Sequence, residues 1–117
     1  APCSGLGTLS SHPEIKWHRD PTDIERLSRL QTKILDRVAP CLKPGGVMVY
    51  STCTLTRDEN EQVVESFLET HREFELENAA GYLPEQAKSM VQGSYFLAIP
   101  HRHNTDGFFA ARMRKVA

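Results

Sequence analysis

The sequence predicts an α/β fold, an open sheet with helices packed against it, on three observations. Ile24, Leu27, Leu30, Ile34, Leu35 and Val38 recur at intervals of three and four, the period of a helix with one apolar side. "VMVYST" at 47–52 is β-branched and continuous, the composition of a strand covered on both faces. "SYFLAIP" and "GFFAARMR" are two further strand-like runs joined by the polar stretch "HRHNTD", which reads as a closing antiparallel hairpin. Helix alternating with strand is the pattern of an open α/β sheet.

In chain order, "APCSGLGTL" reads as the end of a strand whose body precedes residue 1, followed by a glycine-rich turn. "SHPEIKWHRDPTD" is then a polar, proline-containing loop. The helical period runs over 22–42, with Asp20 or Thr22 as cap and Pro21 in the first turn. "KPGG" at 43–46 supplies the breakers that separate this helix from the strand at 47–52. Thr56 with Glu59, or Asp58 with Glu61, offers a capping box for a second helix running to about His71, with Val63, Val64, Phe67 and Leu68 inward. "EFELE" at 73–77 alternates as a short strand, and 78–94 reads as a loop or irregular insertion.

A chain of 117 residues is one domain with a modest core. With 39% hydrophobic and 25% charged residues it has the composition of a soluble protein. No apolar run approaches the roughly 20 residues of a membrane span, and no signal-peptide pattern opens the chain, so the expected location is cytoplasmic. Cys3, Cys41 and Cys53 lack the short spacings of a zinc site or redox pair, and their odd number argues against a disulfide framework. A net charge of −1 excludes a globally basic nucleic-acid binder, so any such contact falls to local patches.

Two of the cysteines carry chemical interest. Ligands of open α/β sheets sit beyond the carboxyl ends of parallel strands, and Cys3 and Cys53 both occupy such an end. If the helix at 22–42 is the crossover between two neighbouring strands, both thiols open into one crevice. Closeness of this kind suits a nucleophile and a base. A helix N-terminus shortly after Cys53 favours its thiolate, an effect that a spacer of about five residues weakens. Gly5 and Gly7 let backbone approach a flat or phosphorylated ligand. For a single strand-end cysteine the ordinary role is small buried filler, and Cys41 keeps that reading. Arg26, Arg29, Lys33 and Arg37 form a basic stripe on the first helix, read first as a solvated face and second as a track for an RNA backbone. Lys16, Trp17, His18 and Arg19 combine cations with an aromatic, suited equally to RNA stacking or to anchoring the loop. His101, His103 and the Asp106–Gly107 pair are read as turn residues. The residues alone leave three classes open: an enzyme, a non-catalytic α/β module that binds RNA or protein, and a thiol redox protein.

"APCSGLGTL", "HPEIKW", "LKPGGVMVYSTCTL" followed by "ENEQVV", and "DGFFAARM" resemble, in order and spacing across nearly the whole chain, the cytosine-C5 RNA methyltransferases of the Sun, or ribosomal RNA small-subunit methyltransferase B, type. The resemblance implies the C-terminal half of a Rossmann-like, S-adenosylmethionine-dependent fold, with 1–117 as the C-terminal portion of one catalytic domain and the cofactor-binding half upstream. By its motif Cys53 attacks C6 of cytosine, and Cys3 helps to remove the C5 proton and release the product. Pro2, Ser4, Gly5, Lys16, Trp17 and Arg19 are the expected substrate contacts, and Pro2 is the one expected cofactor contact. The implied partner is RNA, of the ribosomal small subunit. The chain by itself is expected to be inactive, and to self-associate through the edge that a missing strand leaves on 47–52.

Overall fold

An 18-residue helix, α1 (Pro21–Val38), occupies the first periodic run in the structure, a computed structural model that describes residues 2–5, 21–99 and 107–116. Leu27, Gln31 and Leu35, spaced by four, are buried along one side. Arg26, Arg29, Lys33 and Arg37 lie exposed on the other, where Arg26 meets Asp23 and Arg29 meets Glu25, each at 3.6 Å. The basic stripe is therefore a solvated face. Pro40 has no N–H to continue the helix, and the chain tightens into a 3-10 turn at Ala39–Cys41. The Lys115 ammonium donates to the Ala39 and Leu42 carbonyls, supplying donors and positive charge where the helix leaves both wanting.

Gly45, at φ 88°, makes the turn into β1 (Val47–Thr52) in a conformation that a side chain disfavours. Then follow α2 (Glu61–Thr70), β2 (Phe74–Glu77), β3 (Val91–Gln92), β4 (Tyr95–Ala98) and β5 (Phe108–Lys115). The long β5 is the spine of the sheet. β1 pairs along one edge of it, from Val47↔Arg114 to Thr52↔Phe109, and β2 and β4 share the other edge, with β3 beyond β4. All these pairings are antiparallel. The expected closing hairpin is β4 with β5; its connection at 100–106, which holds His101, His103 and Asp106, lies outside the described residues. The stretch 78–94 is more ordered than expected, with 3-10 turns at Ala79–Tyr82 and Glu85–Met90 leading into β3. Its polar, alanine-containing sequence lacks any long period, so local turns rather than periodicity shape it.

The pleat divides the sheet's residues. Met48 and Tyr50 of β1 and Phe109, Ala111 and Met113 of β5 form the core with Leu35 and Ala39 of the first helical segment, Val63, Val64 and Phe67 of α2, and Phe74. On the opposite face the expectation of a strand covered on both sides fails: Val49 is 59% exposed and Phe108 40% exposed. Both α1 and α2 contribute to the single core, and among the described residues no helix covers the Val49 face, which forms an open apolar recess with Phe96, Tyr82 and Leu83. Alternating burial in β1 follows from that one-sided layer, whereas Val47, Met48, Val49 and Tyr50 form an unbroken apolar and aromatic run.

Phe67 is fully buried between Phe74 and the strands. Phe67→Ala should therefore destabilise the chain by about 3–5 kcal/mol in urea unfolding, whereas Val49→Thr should change it by no more than about 0.5 kcal/mol. Equal losses at the two positions would mean that the Val49 face is covered in solution.

Candidate active site

Cys53 follows directly from β1, so the pairing Thr52↔Phe109 fixes the strand at the residue before it. Cys3 lies in the short segment 2–5, which passes beside the end of β1. Gly5 turns that segment with φ 72°, again a conformation suited to glycine. The two sulfur atoms lie 3.3 Å apart, both half-buried, with either able to donate the hydrogen bond between them. Adjacency of the two thiols was the central expectation from the sequence. Cys41 is exposed, its Sγ 3.7 Å from the Arg37 carbonyl, apart from this pair.

Behind the thiols lies a buried polar layer that joins the two cysteine segments. The Ser4 N–H donates to Glu59 Oε1 and the Ser4 hydroxyl to Glu59 Oε2, both at 2.7 Å. The Ser4 hydroxyl also lies 2.9 Å from that of Thr54. Gln31 reaches across from α1: its Nε2 donates to the Pro2 carbonyl at 2.7 Å and to Glu59 Oε1 at 3.2 Å. Thr56 Oγ1 adds a bond to Glu59 Oε2 at 2.7 Å. Around Cys53 itself, Asn60 accepts from the Thr52 hydroxyl and donates to the Thr54 carbonyl, so one side chain grips the residues before and after the thiol. Ser4, Gln31, Thr54, Glu59 and Asn60 are each fully buried, and satisfied polar groups of this kind specify one arrangement. With both of its neighbours requiring a donor, the Gln31 amide presents its NH2 to them, and its Oε1 has no partner among the described residues.

The expectation that a helix N-terminus favours the Cys53 thiolate is overturned. Burial first, then the hydrogen bond to Cys3 and the charge Cys3 can carry, push the Cys53 thiol up to about 11. Backbone donors lower it, but by less, and α2 begins only at Glu61, too far along the chain to prevail. At neutral pH Cys53 therefore rests as a thiol. Burial, with Glu59 nearby, likewise pushes the Tyr50 hydroxyl above the usual phenol range, and that hydroxyl donates to the Glu59 carbonyl at 2.6 Å.

The other expected contacts divide into groups. Pro2 is exposed, its carbonyl held by Gln31, and Gly5 is half-buried beside it. Ser4, expected at the substrate, is fully buried, with its amide and hydroxyl engaged by Glu59 and its hydroxyl also by Thr54. Lys16, Trp17 and Arg19 lie outside the described residues. Sequence reasoning missed Gln31 and Glu59. A glutamine at the fourth position between Leu27 and Leu35, in the middle of an apolar stripe, is the signal that marks Gln31. The capping-box pattern assigns Glu59 to a helix cap; the Thr56–Glu59 pair does form, but through side chains alone, and the helix starts after it. Among the described residues no group of three His, Cys, Asp or Glu side chains could hold a metal ion.

A family model described as 16S rRNA methyltransferase RsmB/F matches residues 1–114. The probable ribosomal RNA small subunit methyltransferase B of Bacillus subtilis (strain 168) is 41% identical over 116 residues, which are 98% of this chain and 26% of that protein. The ribosomal RNA small subunit methyltransferase B of Thermus thermophilus is 40% identical over 99% of this chain and 28% of its own length. Among solved structures, NSun6 from Pyrococcus horikoshii with SFG superposes with a TM-score of 0.80 at 34% identity, over 100% of this chain and 29% of that one. The chain thus spans about a quarter of the length of these curated relatives. Its α/β fold is that of the methyltransferases it superposes on.

Because the thiolate fraction below a thiol's pKa multiplies about tenfold per pH unit, alkylation of Cys53 by iodoacetamide should keep climbing at that rate to about pH 10, given a pKa of about 11. Peptide mapping by mass spectrometry separates it from Cys41. A plateau near the ordinary value of 9.0 would contradict the burial of the Cys53 sulfur against Cys3.

Proposed function

The chain belongs to the 16S rRNA methyltransferase RsmB/F family, and on that footing we propose that it forms the cysteine-bearing, C-terminal part of a catalytic domain that methylates C5 of cytosine in small-subunit ribosomal RNA. The observation that carries the reading is the 3.3 Å between Cys3 and Cys53 sulfurs at the end of β1. Addition to C6 and proton removal from C5 act on neighbouring ring atoms, so the two groups that perform them must themselves be neighbours.

Cys53 gives up its proton to solvent and its sulfur adds to C6, while the π pair of the C5–C6 bond moves onto C5. C5 is then a carbon nucleophile. Once C5 carries a methyl group it still bears one hydrogen. Cys3, acting as its thiolate, takes that proton and becomes a thiol; the C5–H electron pair restores the C5–C6 double bond, and the C6–S bond breaks with its pair returning to Cys53. Holding Cys53 as a thiol until the base is bound protects it from stray oxidation and alkylation in the resting protein.

S-adenosylmethionine is the methyl donor in this reading, supported by the solved relative that carries SFG, an analogue of it. Near the thiols, the described residues do not fit that cofactor. Both Glu59 oxygens are engaged and cannot receive ribose hydroxyls, and Pro2, the one expected contact here, has no polar side-chain atom with which to hold a ribose or a carboxylate. What this chain contributes is thiol chemistry, and in isolation it is proposed to be inactive. Among the described residues no helix is long and apolar enough to cross a membrane; a cytoplasmic location is proposed from the ribosomal substrate. Self-association through β1 is proposed because its outer edge has no strand partner among the described residues.

In the full-length protein with RNA and cofactor, Cys53→Ala should abolish both methyl transfer and any protein–RNA adduct. Cys3→Ala should retain attack and methylation but accumulate an adduct that survives denaturing electrophoresis. Exchanged phenotypes would mean exchanged roles. Unaltered methylation in both variants would overturn the enzymatic reading of the pair.

A further inference from the structure

Glu59 takes no part in the attack or release just described, yet it is fully buried and receives four hydrogen bonds. Its donors come from three places: Ser4, next to Cys3; Gln31, on α1; and Thr56, beyond Cys53. Gln31 in turn holds the Pro2 carbonyl on the other side of Cys3. The residues flanking Cys3 are thus tied to Glu59, one directly and one through Gln31. Cys53 is anchored differently, by the β1–β5 ladder up to Thr52 and by Asn60, which holds Thr52 and Thr54.

We propose that Glu59 is a positioning residue for Cys3, clamping residues 2–5 against the end of β1 so that the Cys3 sulfur stays within reach of Cys53 and of the proton it removes. The proposal rests on the reading of Cys53 as nucleophile and Cys3 as base. The chemistry at position 59 is specific. The Ser4 N–H and the Gln31 NH2 can only donate, so Oε1 must accept, and Oε2 accepts the Ser4 and Thr56 hydroxyls. Glutamine has the same shape but puts an NH2 where Oε2 stands, so the Ser4 and Thr56 hydroxyls must turn to accept from it, which also disturbs the Ser4–Thr54 bond. The clamp should open on the Cys3 side, while the sheet and Asn60 keep Cys53 in place.

Two measurements on the full-length protein test this, and the first does not depend on methyl transfer. Diamide takes the two thiol hydrogens, is reduced to the hydrazine and leaves a Cys3–Cys53 disulfide, whose rate reports how often the sulfurs meet. Glu59→Gln should slow that reaction by about tenfold, as the loss of one buried hydrogen bond predicts, with alkylation of exposed Cys41 unchanged. Ser4→Ala, which removes one of the four bonds and keeps the Ser4 amide, should slow it in the same direction by less, and serves if Glu59→Gln does not fold. The second measurement adds RNA and cofactor: Glu59→Gln should form the covalent adduct within about threefold of the wild-type rate but accumulate it, the signature of impaired release. An unchanged disulfide rate in folded variants would overturn the proposal, as would loss of adduct formation in step with loss of turnover. Slower disulfide formation together with no adduct in any variant, Cys3→Ala included, would uphold the clamp and overturn the assignment of Cys3 to release.

Discussion

The arrangement of this chain depends on one buried carboxyl group. Glu59 draws together a segment from the start of the chain, a helix and the turn after β1, which local sequence gives no reason to meet. Removing such a group from water is unfavourable unless its hydrogen bonds are replaced, and four donors at 2.7–3.2 Å replace them. The same stringency makes the network informative: an arrangement with one donor missing leaves a buried polar group unpaired, so the cysteine segments are held in one relation rather than in several.

The apolar core and this polar layer have separate tasks. Phe67, Phe109, Met113 and Val64 pack α2 onto the sheet and provide a rigid base, in which every residue of β1 has a partner on β5. A sheet end is a firm place for a nucleophile, because the backbone of Thr52 is fixed by its cross-strand partner. Residues 2–5 have no such ladder among the described residues, and side-chain bonds to Ser4 and Pro2 hold them. Two thiols in one site are therefore secured by two kinds of interaction.

Much of this was legible in the sequence for a physical reason: periodicity reports burial. The apolar side of α2 and the alternation of 73–77 located elements whose core faces are as expected; the α1 stripe located its helix, with Leu27 and Leu35 buried but Leu30 and Val38 exposed, and the two strand-end cysteines could be placed together from topology. Three features were not legible. The exposed face of β1 was hidden because Val47, Val49 and their neighbours are apolar whether or not a layer covers them. Glu59 was hidden because the capping-box pattern explains the same residues by a local interaction, while its actual partner Ser4 is 55 residues away. The raised pKa of Cys53 was hidden because proximity to a helix end is visible in a sequence, whereas burial against a second sulfur is not.

The position of the covalent bond to the base tests the account most directly. RNA carrying 5-fluorocytidine at the target site cannot lose a proton from C5, so an adduct formed on it by the full-length enzyme persists and can be digested and sequenced by tandem mass spectrometry. The nucleotide should be found on the peptide that contains Cys53, with Cys3 unmodified. A nucleotide on Cys3 would contradict the division of labour between the two thiols. Complete turnover of unmodified RNA with no adduct on the fluorinated substrate would contradict attack by either.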